Sequence, residues 1–349
     1  MSPKVSVIIP TYKRGHLLTY VLDALTVQTI NDFEVLMIVK PSGDGTEQII
    51  AEYAKRLTIK IVIQKHGYFT DALNLGLKNA EGDILVFLDD DAIPFPNLIL
   101  SYILSYSTPE VGGVAGNVIP VTLNGNKVCP LKHIPSEILP IHTSEITLVR
   151  KLNNRSPRGL ENYLLYISKA GFVSLNSEVA QRVPCTIVNS LFAKGVNMSV
   201  SSKAVADFQF PASWILGFTC EQYLGWCLWK KGYRIIFNSE INVYHIHHGQ
   251  TLSRYIKDGK KATVLYTEER LLFYRLYGNG SGLSLMHRIV FLLMETIVDI
   301  KNICLHKDVS CINMIKNRFF TELIGLRWFF CKKFKLKYSL LTDLEKILS

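Results

Sequence analysis

No cysteine pattern organises this chain. Its seven cysteines, Cys129, Cys185, Cys220, Cys227, Cys304, Cys311 and Cys331, are scattered, odd in number and without a CxxC spacing. That excludes a zinc ribbon or a disulfide-stapled fold, and reduced thiols in a cytosolic setting are the simplest expectation. No apolar run reaches the roughly 18 residues of a membrane-spanning helix. The best stretch, 289–294, is flanked by His287, Arg288 and Glu295. The N-terminus enters a strand pattern at 5–9 with no charged-then-apolar leader, so no export signal is expected. Charged residues are only 19% of the chain and hydrophobic ones 48%, which excludes a disordered polymer and allows a substantial core in 349 residues.

Missing motifs exclude several activities. No GxGxxG opens the first helix, so a dinucleotide-dependent dehydrogenase is ruled out. The loop at 10–15 lacks the glycine-rich, lysine-containing pattern of a nucleotidyltransferase. No helix-turn-helix, RRM or zinc-finger signature accompanies the basic residues, so nucleic acid is not an expected partner. Nor is there an internal repeat or a low-complexity segment.

Strand and helix patterns alternate over the first 120 residues. Strand patterns occupy 5–9, 34–39, 59–63 and 84–88, and 112–119 resembles one more. Helical periods occupy 17–28, 46–57 (with Thr46 as a cap) and 71–80. The β-α-β order with near-continuous apolar strands predicts a parallel sheet covered on both faces. Residues 121–188 are irregular. A helix is expected at 221–231 with Gly232 as its C-terminal cap, short strands at 233–237 and 241–244, and helices from 263 onward.

The densest chemical signal is the end of the fourth strand, Ile84-Leu85-Val86-Phe87-Leu88-Asp89-Asp90-Asp91. Three adjacent carboxylates repel one another unless something positive lies among them. At the carboxyl edge of an open α/β sheet they occupy the place where such folds bind ligands. Hard oxygen ligands at this spacing suit Mg²⁺ or Mn²⁺ held together with substrate phosphates. A solvated acidic turn is the plain alternative.

Four landmarks in order carry a family resemblance over roughly residues 4–275. They are Val5-Ser6-Val7-Ile8-Ile9-Pro10-Thr11-Tyr12-Lys13-Arg14; Ser42-Gly43-Asp44-Gly45-Thr46; Asp71-Ala72-Leu73-Asn74 leading to Phe87-Leu88-Asp89-Asp90-Asp91-Ala92; and Gly195-Val196-Asn197 followed by Glu221, Gly232-Tyr233-Arg234 and Val243-Tyr244-His245. The chain resembles the family 2, GT-A type inverting glycosyltransferases that use nucleotide sugars. The resemblance implies a Rossmann-like α/β fold with a mixed central sheet and a helical C-terminal extension. It implies a donor-binding half over 1–120, an acceptor-binding and catalytic half over 121–262, and a basic extension over 263–349.

Site roles follow from the resemblance. Asp91 is expected as the more direct metal ligand, Asp89 near the metal or the ribose, and His245 as a third ligand ranked above His247 and His248. Asp90, on the other side of the pleat, is expected to be solvated or to contact the donor. Glu221 is expected to be the base that takes the acceptor proton, in a Cys220-Glu221 pair where relatives carry Glu-Asp. Pro10, Thr11, Tyr12 and Arg14 are expected to cradle the donor, with Tyr12 near the base and Arg14 near phosphate, which suits its forked donors. The uracil-reading aspartate of relatives is replaced by Val39-Lys40-Pro41, and lysine accepts no hydrogen bond, so the nucleobase stays open. Leu73 replaces a usual arginine, for which Lys65 or His66 is a substitute. Asp44 is read as a structural turn former. Trp214 is read equally as an acceptor-stacking platform or as core. Lys40 belongs by position to the donor site.

The chain carries a formal charge of +10, and residues 301–349 hold ten Lys and Arg against four Asp and Glu. In 283–304, Ile289, Leu293, Ile297 and Ile300 share one side while His287, Arg288, Glu295 and Asp299 share another. Leu326-Arg327-Trp328-Phe329-Phe330 then leads into Lys332, Lys333, Lys335 and Lys337. Aromatics beside lysines suit a helix lying in an anionic membrane interface. A peripheral membrane location and a glycan or lipid-linked acceptor are therefore expected. A helical lid with solvated lysines and an inactive saccharide-binding relative are the competing readings.

Overall fold

A computed structural model describes residues 4–125, 127–131, 155–183, 187–192, 194–212, 214–248, 259–278, 280–306 and 310–348. The chain falls into two compact units. One comprises Met1–Ile138, Gln181–Trp214 and Cys220–Gly249, and the other Leu139–Ala180, Ile215–Thr219 and Gln250–Ser349.

The first unit opens with β1 (Val5–Thr11), α1 (Gly15–Thr26), β2 (Glu34–Val39), α2 (Thr46–Tyr53), β3 (Ile59–Ile63), α3 (Phe69–Asn79) and β4 (Ile84–Leu88). Every residue of β2 and β4 is buried, which explains their unbroken apolar runs: both faces of the sheet are covered. α1 buries Leu17, Leu18, Val21, Leu22 and Leu25, one stripe at helical spacing. β5 (Ala92–Pro94), α4 (Leu98–Ser105), β6 (Val111–Asn124) and β7 (Lys127–Pro130) follow. β10 (Val188–Asn189), β11 (Asn197–Ser201), α6 (Cys220–Lys230) and β12 (Arg234–Ile246) complete the unit.

The strands form one ten-stranded sheet in the order β10-β12-β6-β11-β4-β1-β2-β3, with β5 on β12 and β7 on β6. β1 runs parallel to β2 and β4, and β2 parallel to β3, as the alternating pattern predicts. β11 enters antiparallel between β4 and β6, so the sheet is mixed. The sequence pattern at 197–201 did not single out this strand: its polar residues Asn197 and Ser199 are fully buried. Asn197 explains how. It accepts from the Tyr102 hydroxyl at 2.6 Å and donates to the carbonyls of Asn117 and Ile241 at 2.8 and 3.0 Å. A Cβ on Gly116 would lie 2.2 Å from the Asn197 amide nitrogen, so the junction requires glycine there.

Boundaries differ from expectation in three places. The two short strands expected at 233–237 and 241–244 are one strand, β12, with an irregularity between Asn238 and Asn242. The strand expected at 112–119 continues to Asn124. Gly45, with φ of 83°, caps α2, and Thr46 is its first residue. Gly232, at φ of 89°, follows α6 and donates to the Trp229 carbonyl at 2.9 Å, the stop expected of it. Of the irregular stretch 121–188, residues 126, 132–154 and 184–186 lie outside the described residues.

The second unit contains the hairpin β8 (Leu165–Ile167) and β9 (Val173–Leu175), α5 (Ser177–Ala180), and the helices α7 (Gly259–Leu276), α8 (Leu285–His306), α9 (Ser310–Lys333) and α10 (Leu340–Leu348). Its apolar interior, with Phe172, Phe273 and Phe291 fully buried, is crossed by an ionic layer. Arg288 is fully buried, and it donates to Glu322 through Nε (3.0 Å) and Nη2 (2.9 Å) and to the Ala170 carbonyl through Nη1 (3.0 Å). Arg318 stands 3.2 Å from Glu295 and 2.8 Å from Asp299. The two stripes read on α8 are real, but the charged stripe faces inward and the apolar one outward.

Candidate active site

β1 and β4 pair in parallel, Ile8 opposite Phe87, so their carboxyl ends bring residues 10–14 and 89–91 to one edge of the sheet. The short strand β5, directly after Asp91, then pairs with the end of β12, Ala92 opposite His245. That pairing draws a histidine from far along the chain to the acidic edge. The Ile246 amide donates to the Asp91 carbonyl at 3.0 Å and fixes the register.

Ligand-type atoms of Asp89, Asp91 and His245 all lie within 4.8 Å of one another. His245 Nε2 stands 3.1 Å from Asp91 Oδ1, and His248 Nε2 stands 2.7 Å from Asp91 Oδ2. Arg14 Nη1 donates to Asp90 Oδ1 at 3.0 Å and to Asp91 Oδ2 at 2.9 Å. Asp90 is 4% exposed. The expectation of a solvated Asp90 is therefore corrected: it is held by Arg14 at the root of the cluster.

The electrostatics are those of carboxylates crowded in a poorly solvated place. Burial, then repulsion from Asp91, pushes Asp89 up to about 7. Burial pushes Asp90 up to about 6 against the pull of Arg14. Burial acts on Asp91 as well, but His245, His248 and Arg14 outweigh it and hold that carboxyl well below the usual range. The donor set, two carboxylates and an imidazole with more negative charge than Arg14 balances, fits a hard divalent cation.

Glu221 lies in the first turn of α6, where the helix dipole favours an anion. Burial nonetheless pushes it up to about 7, with Asp89 among the groups acting in that direction. Asp89 and Glu221 thus feel one another's charge. The Cys220 thiol donates to Glu221 Oε2 at 3.4 Å and is itself buried, the packing role read for it. Thr219, just before the helix, has φ of 67°, a left-handed conformation that strains a β-branched residue.

Tyr12 is 46% exposed beside Lys40. Lys40 Nζ donates to the Gly67 carbonyl at 2.9 Å and lies 5.4 Å from the Tyr12 ring centre and 5.8 Å from that of Tyr68. Pro10 and Thr11 end β1, and Thr11 accepts from the Lys40 amide through its carbonyl at 3.1 Å. The loops after β1 and β2 therefore make one basic, aromatic surface.

Other sequence readings resolve locally. Asp44 accepts from the Ser42 and Thr46 hydroxyls at 2.9 and 2.7 Å and from the Gly15 amide at 3.1 Å, a turn former that also caps α1. Trp214 is completely buried, with its ring 5.1 Å from that of Tyr223. It offers no face to a sugar, which leaves the core reading. Lys65 and His66 line a cleft whose walls include none of Tyr12, Arg14, Asp89 or Asp91. His248, ranked below His245 as a ligand, lies outside the Asp89, Asp91 and His245 group and contacts Asp91.

Residues 6–162 match the model of the family described as Glycosyl transferase family 2. Over 111 residues the chain is 37% identical to validoxylamine A glucosyltransferase of Streptomyces hygroscopicus subsp. jinggangensis, covering 31% of this chain and 26% of that protein. The match thus spans about a quarter of that relative's length. Two solved structures share the fold. TarS 1–349 of S. aureus has a TM-score of 0.54 at 16% identity, over 92% of this chain and 79% of that one. The mannosyltransferase PcManGT of Pyrobaculum calidifontis, in complex with GDP-Man and Mn2+, has a TM-score of 0.51 at 15% identity, over 93% and 88%. Likeness at these identities shows the fold alone.

Proposed function

Because through residues 6–162 this chain belongs to glycosyl transferase family 2, we propose that it is a glycosyltransferase that moves a sugar from a nucleoside diphosphate donor to an acceptor hydroxyl with inversion. The observation that carries this reading is the gathering of Asp89, Asp91 and His245 at the carboxyl edge of the sheet. Those three residues would hold Mg²⁺ or Mn²⁺. A cation bound there supplies Lewis-acid stabilisation of the departing diphosphate. Mn2+ with GDP-Man in the Pyrobaculum mannosyltransferase is in line with that assignment.

The chain's own groups act around that charge. Glu221, as carboxylate, takes the proton of the acceptor hydroxyl. The acceptor oxygen bonds to the anomeric carbon from the face opposite the leaving group, and the carbon–oxygen bond to the diphosphate breaks, its electron pair leaving with the phosphate. A carboxyl poised near neutrality suits this work better than an ordinary glutamate, since it is a stronger base and is still partly ionised at neutral pH. Arg14 steadies Asp90 and Asp91 and brings a guanidinium to the phosphate side of the donor. Tyr12 provides a ring for the nucleobase to stack upon. Lys40, tethered to Gly67, presents donors, so the base is recognised through its acceptor edge.

On this reading 1–120 is the donor half, 121–262 the acceptor and catalytic half, and 263–349 a basic extension. The acceptor is a glycan or a lipid-linked saccharide, and the enzyme works peripherally on a membrane. Among the described residues no helix is long and apolar enough to cross one. The test is hydrolysis or transfer from a panel of nucleotide sugars with and without Mn²⁺. Metal-stimulated sugar release that Asp91→Ala abolishes supports the reading, and its absence with every donor removes it.

A further inference from the structure

Helix α8 is inside out. Its buried stripe is Arg288, Phe291, Glu295 and Asp299, while Met286 (68%), Ile289 (45%), Leu293 (54%), Ile297 (55%) and Ile300 (50%) are exposed. Amphipathic helices of globular proteins do the reverse. The cause lies in the second unit's interior, where Arg288 pairs with Glu322, and Arg318 with Glu295 and Asp299. The ionic layer pairs the charged stripe, and the apolar stripe is left outside.

α9 repeats the arrangement and adds charge. Thr321, Glu322 and Ile324 are buried, while Phe319 (51%), Leu323 (63%) and Phe330 (48%) are exposed. Lys316 and Arg327 are exposed and fall on that outer stripe at spacings of three and four. The chain then runs through Lys332, Lys333, Phe334, Lys335, Leu336 and Lys337, all exposed. Between 310 and 338 the one acidic residue is Glu322, and it is buried against Arg288. Arg327 stands 3.7 Å from Asp343 of α10, and the outward surface of α9 and the turn after it is otherwise apolar and positive.

We infer that the outward faces of α8 and α9 dock on an anionic lipid bilayer, the helices lying in the plane of the interface. Contiguous exposed apolar stripes of this length mark an interaction surface. Charge selects the occupant. A second copy would set Lys316, Arg327 and the lysines after Phe330 against their own like, whereas anionic headgroups complement them and acyl chains take the isoleucines, leucines and phenylalanines. The lysine stems reach over apolar surface to the headgroups; Lys332 Nζ already lies 5.1 Å from the Trp328 ring centre. The inference does not depend on the transfer chemistry.

The experiment is sedimentation of the full chain with phosphatidylcholine vesicles, with and without phosphatidylglycerol, in the absence of nucleotide sugar. The expected result is capture by the anionic vesicles, weak capture by the neutral ones, and loss of capture as salt rises. K332Q/K333Q/K335Q/K337Q should lower anionic-vesicle affinity by at least about tenfold. L293Q/I297Q should also weaken binding, with circular dichroism unchanged because both side chains point outward. A folded parent that stays in the supernatant with anionic vesicles at low salt overturns the inference. So does an L293Q/I297Q variant that binds like the parent, or a parent that self-associates through this face and ignores vesicles. Because no donor is present, any of these outcomes leaves the proposed transfer reaction untouched.

Discussion

His248 Nε2 lies 2.7 Å from Asp91 Oδ2, across 157 positions of sequence. With His245 on the other oxygen, Asp91 is gripped from two sides by imidazoles of one chain segment. Only the antiparallel pairing of β5 with the end of β12 makes this possible. The relationship separates two roles that adjacent histidines would otherwise share: His245 belongs with the metal-type ligands, and His248 orients the carboxylate.

The two histidines should differ on removal. Asp91→Asn or His245→Ala is expected to eliminate measurable Mn²⁺ binding. His248→Ala, which removes an orienting group, should weaken it by about 10–100-fold. Calorimetric titration of each variant with Mn²⁺ checks this. Equal effects from His245→Ala and His248→Ala would show that the ligand and the orienting residue are wrongly assigned.

Glu221→Gln should leave nucleotide binding intact while lowering turnover by about 10²–10⁴-fold. The pH dependence carries a definite sign. Burial raises Glu221 to about 7, and only its carboxylate accepts a proton, so the rate should climb with pH up to that region and then level. The same shift acts on stability in the opposite sense. The unfolded chain ionises Glu221 near its ordinary 4.5, while the folded one resists until about 7. Its contribution to stability therefore falls as pH rises through that window. Rate profiles of parent and variant decide the matter, because Glu221→Gln should remove the Glu221 part of the acidic limb and leave only that of Asp89, also raised to about 7 by burial.

Lys40 is the place to look for nucleobase choice. Its ammonium is fixed by Gly67 and flanked by Tyr12 and Tyr68. Lys40→Asp exchanges donors for acceptors and should shift the preference among UDP, GDP and TDP by about tenfold, a single charged hydrogen bond's worth. Thermal shifts with each diphosphate in Mn²⁺ report it. Uniform weakening for all three would make Lys40 a phosphate contact instead.

Much of this site was legible because its chemistry sits where strands end. The apolar run into Asp89, Asp90 and Asp91 announced both a buried strand and its charged tip, and the sheet's parallel part followed from continuous apolar strands. What stayed hidden depended on distant partners. β11 carries Asn197 and Ser199 at buried positions, and nothing local says that Tyr102, Asn117 and Ile241 will satisfy Asn197. Trp214 could not be assigned to surface or core from its neighbours in sequence. Periodicity split α8 into an apolar and a charged stripe correctly, but it holds no information on which stripe turns inward. That choice was made by Glu322 and Arg318 on another helix.

The buried ion pair of Arg288 and Glu322 gives the last prediction. Arg288 makes three hydrogen bonds and lies 4.4 Å from the Phe172 ring centre, so its removal leaves the buried Glu322 carboxylate with only the Tyr274 hydroxyl and the more distant Arg270. Arg288→Met should lower unfolding stability by about 3–5 kcal/mol. Arg288→Met combined with Glu322→Leu should recover part of that loss, because the carboxylate leaves with its guanidinium, while Arg270 and the Tyr274 hydroxyl each lose a partner. Urea titrations followed by circular dichroism measure both. If the double variant is as unstable as the single one, the pair's hydrogen bonds hold the second unit together directly. The exposed isoleucines and leucines of α8 would then face outward because nothing apolar can replace its ionic layer.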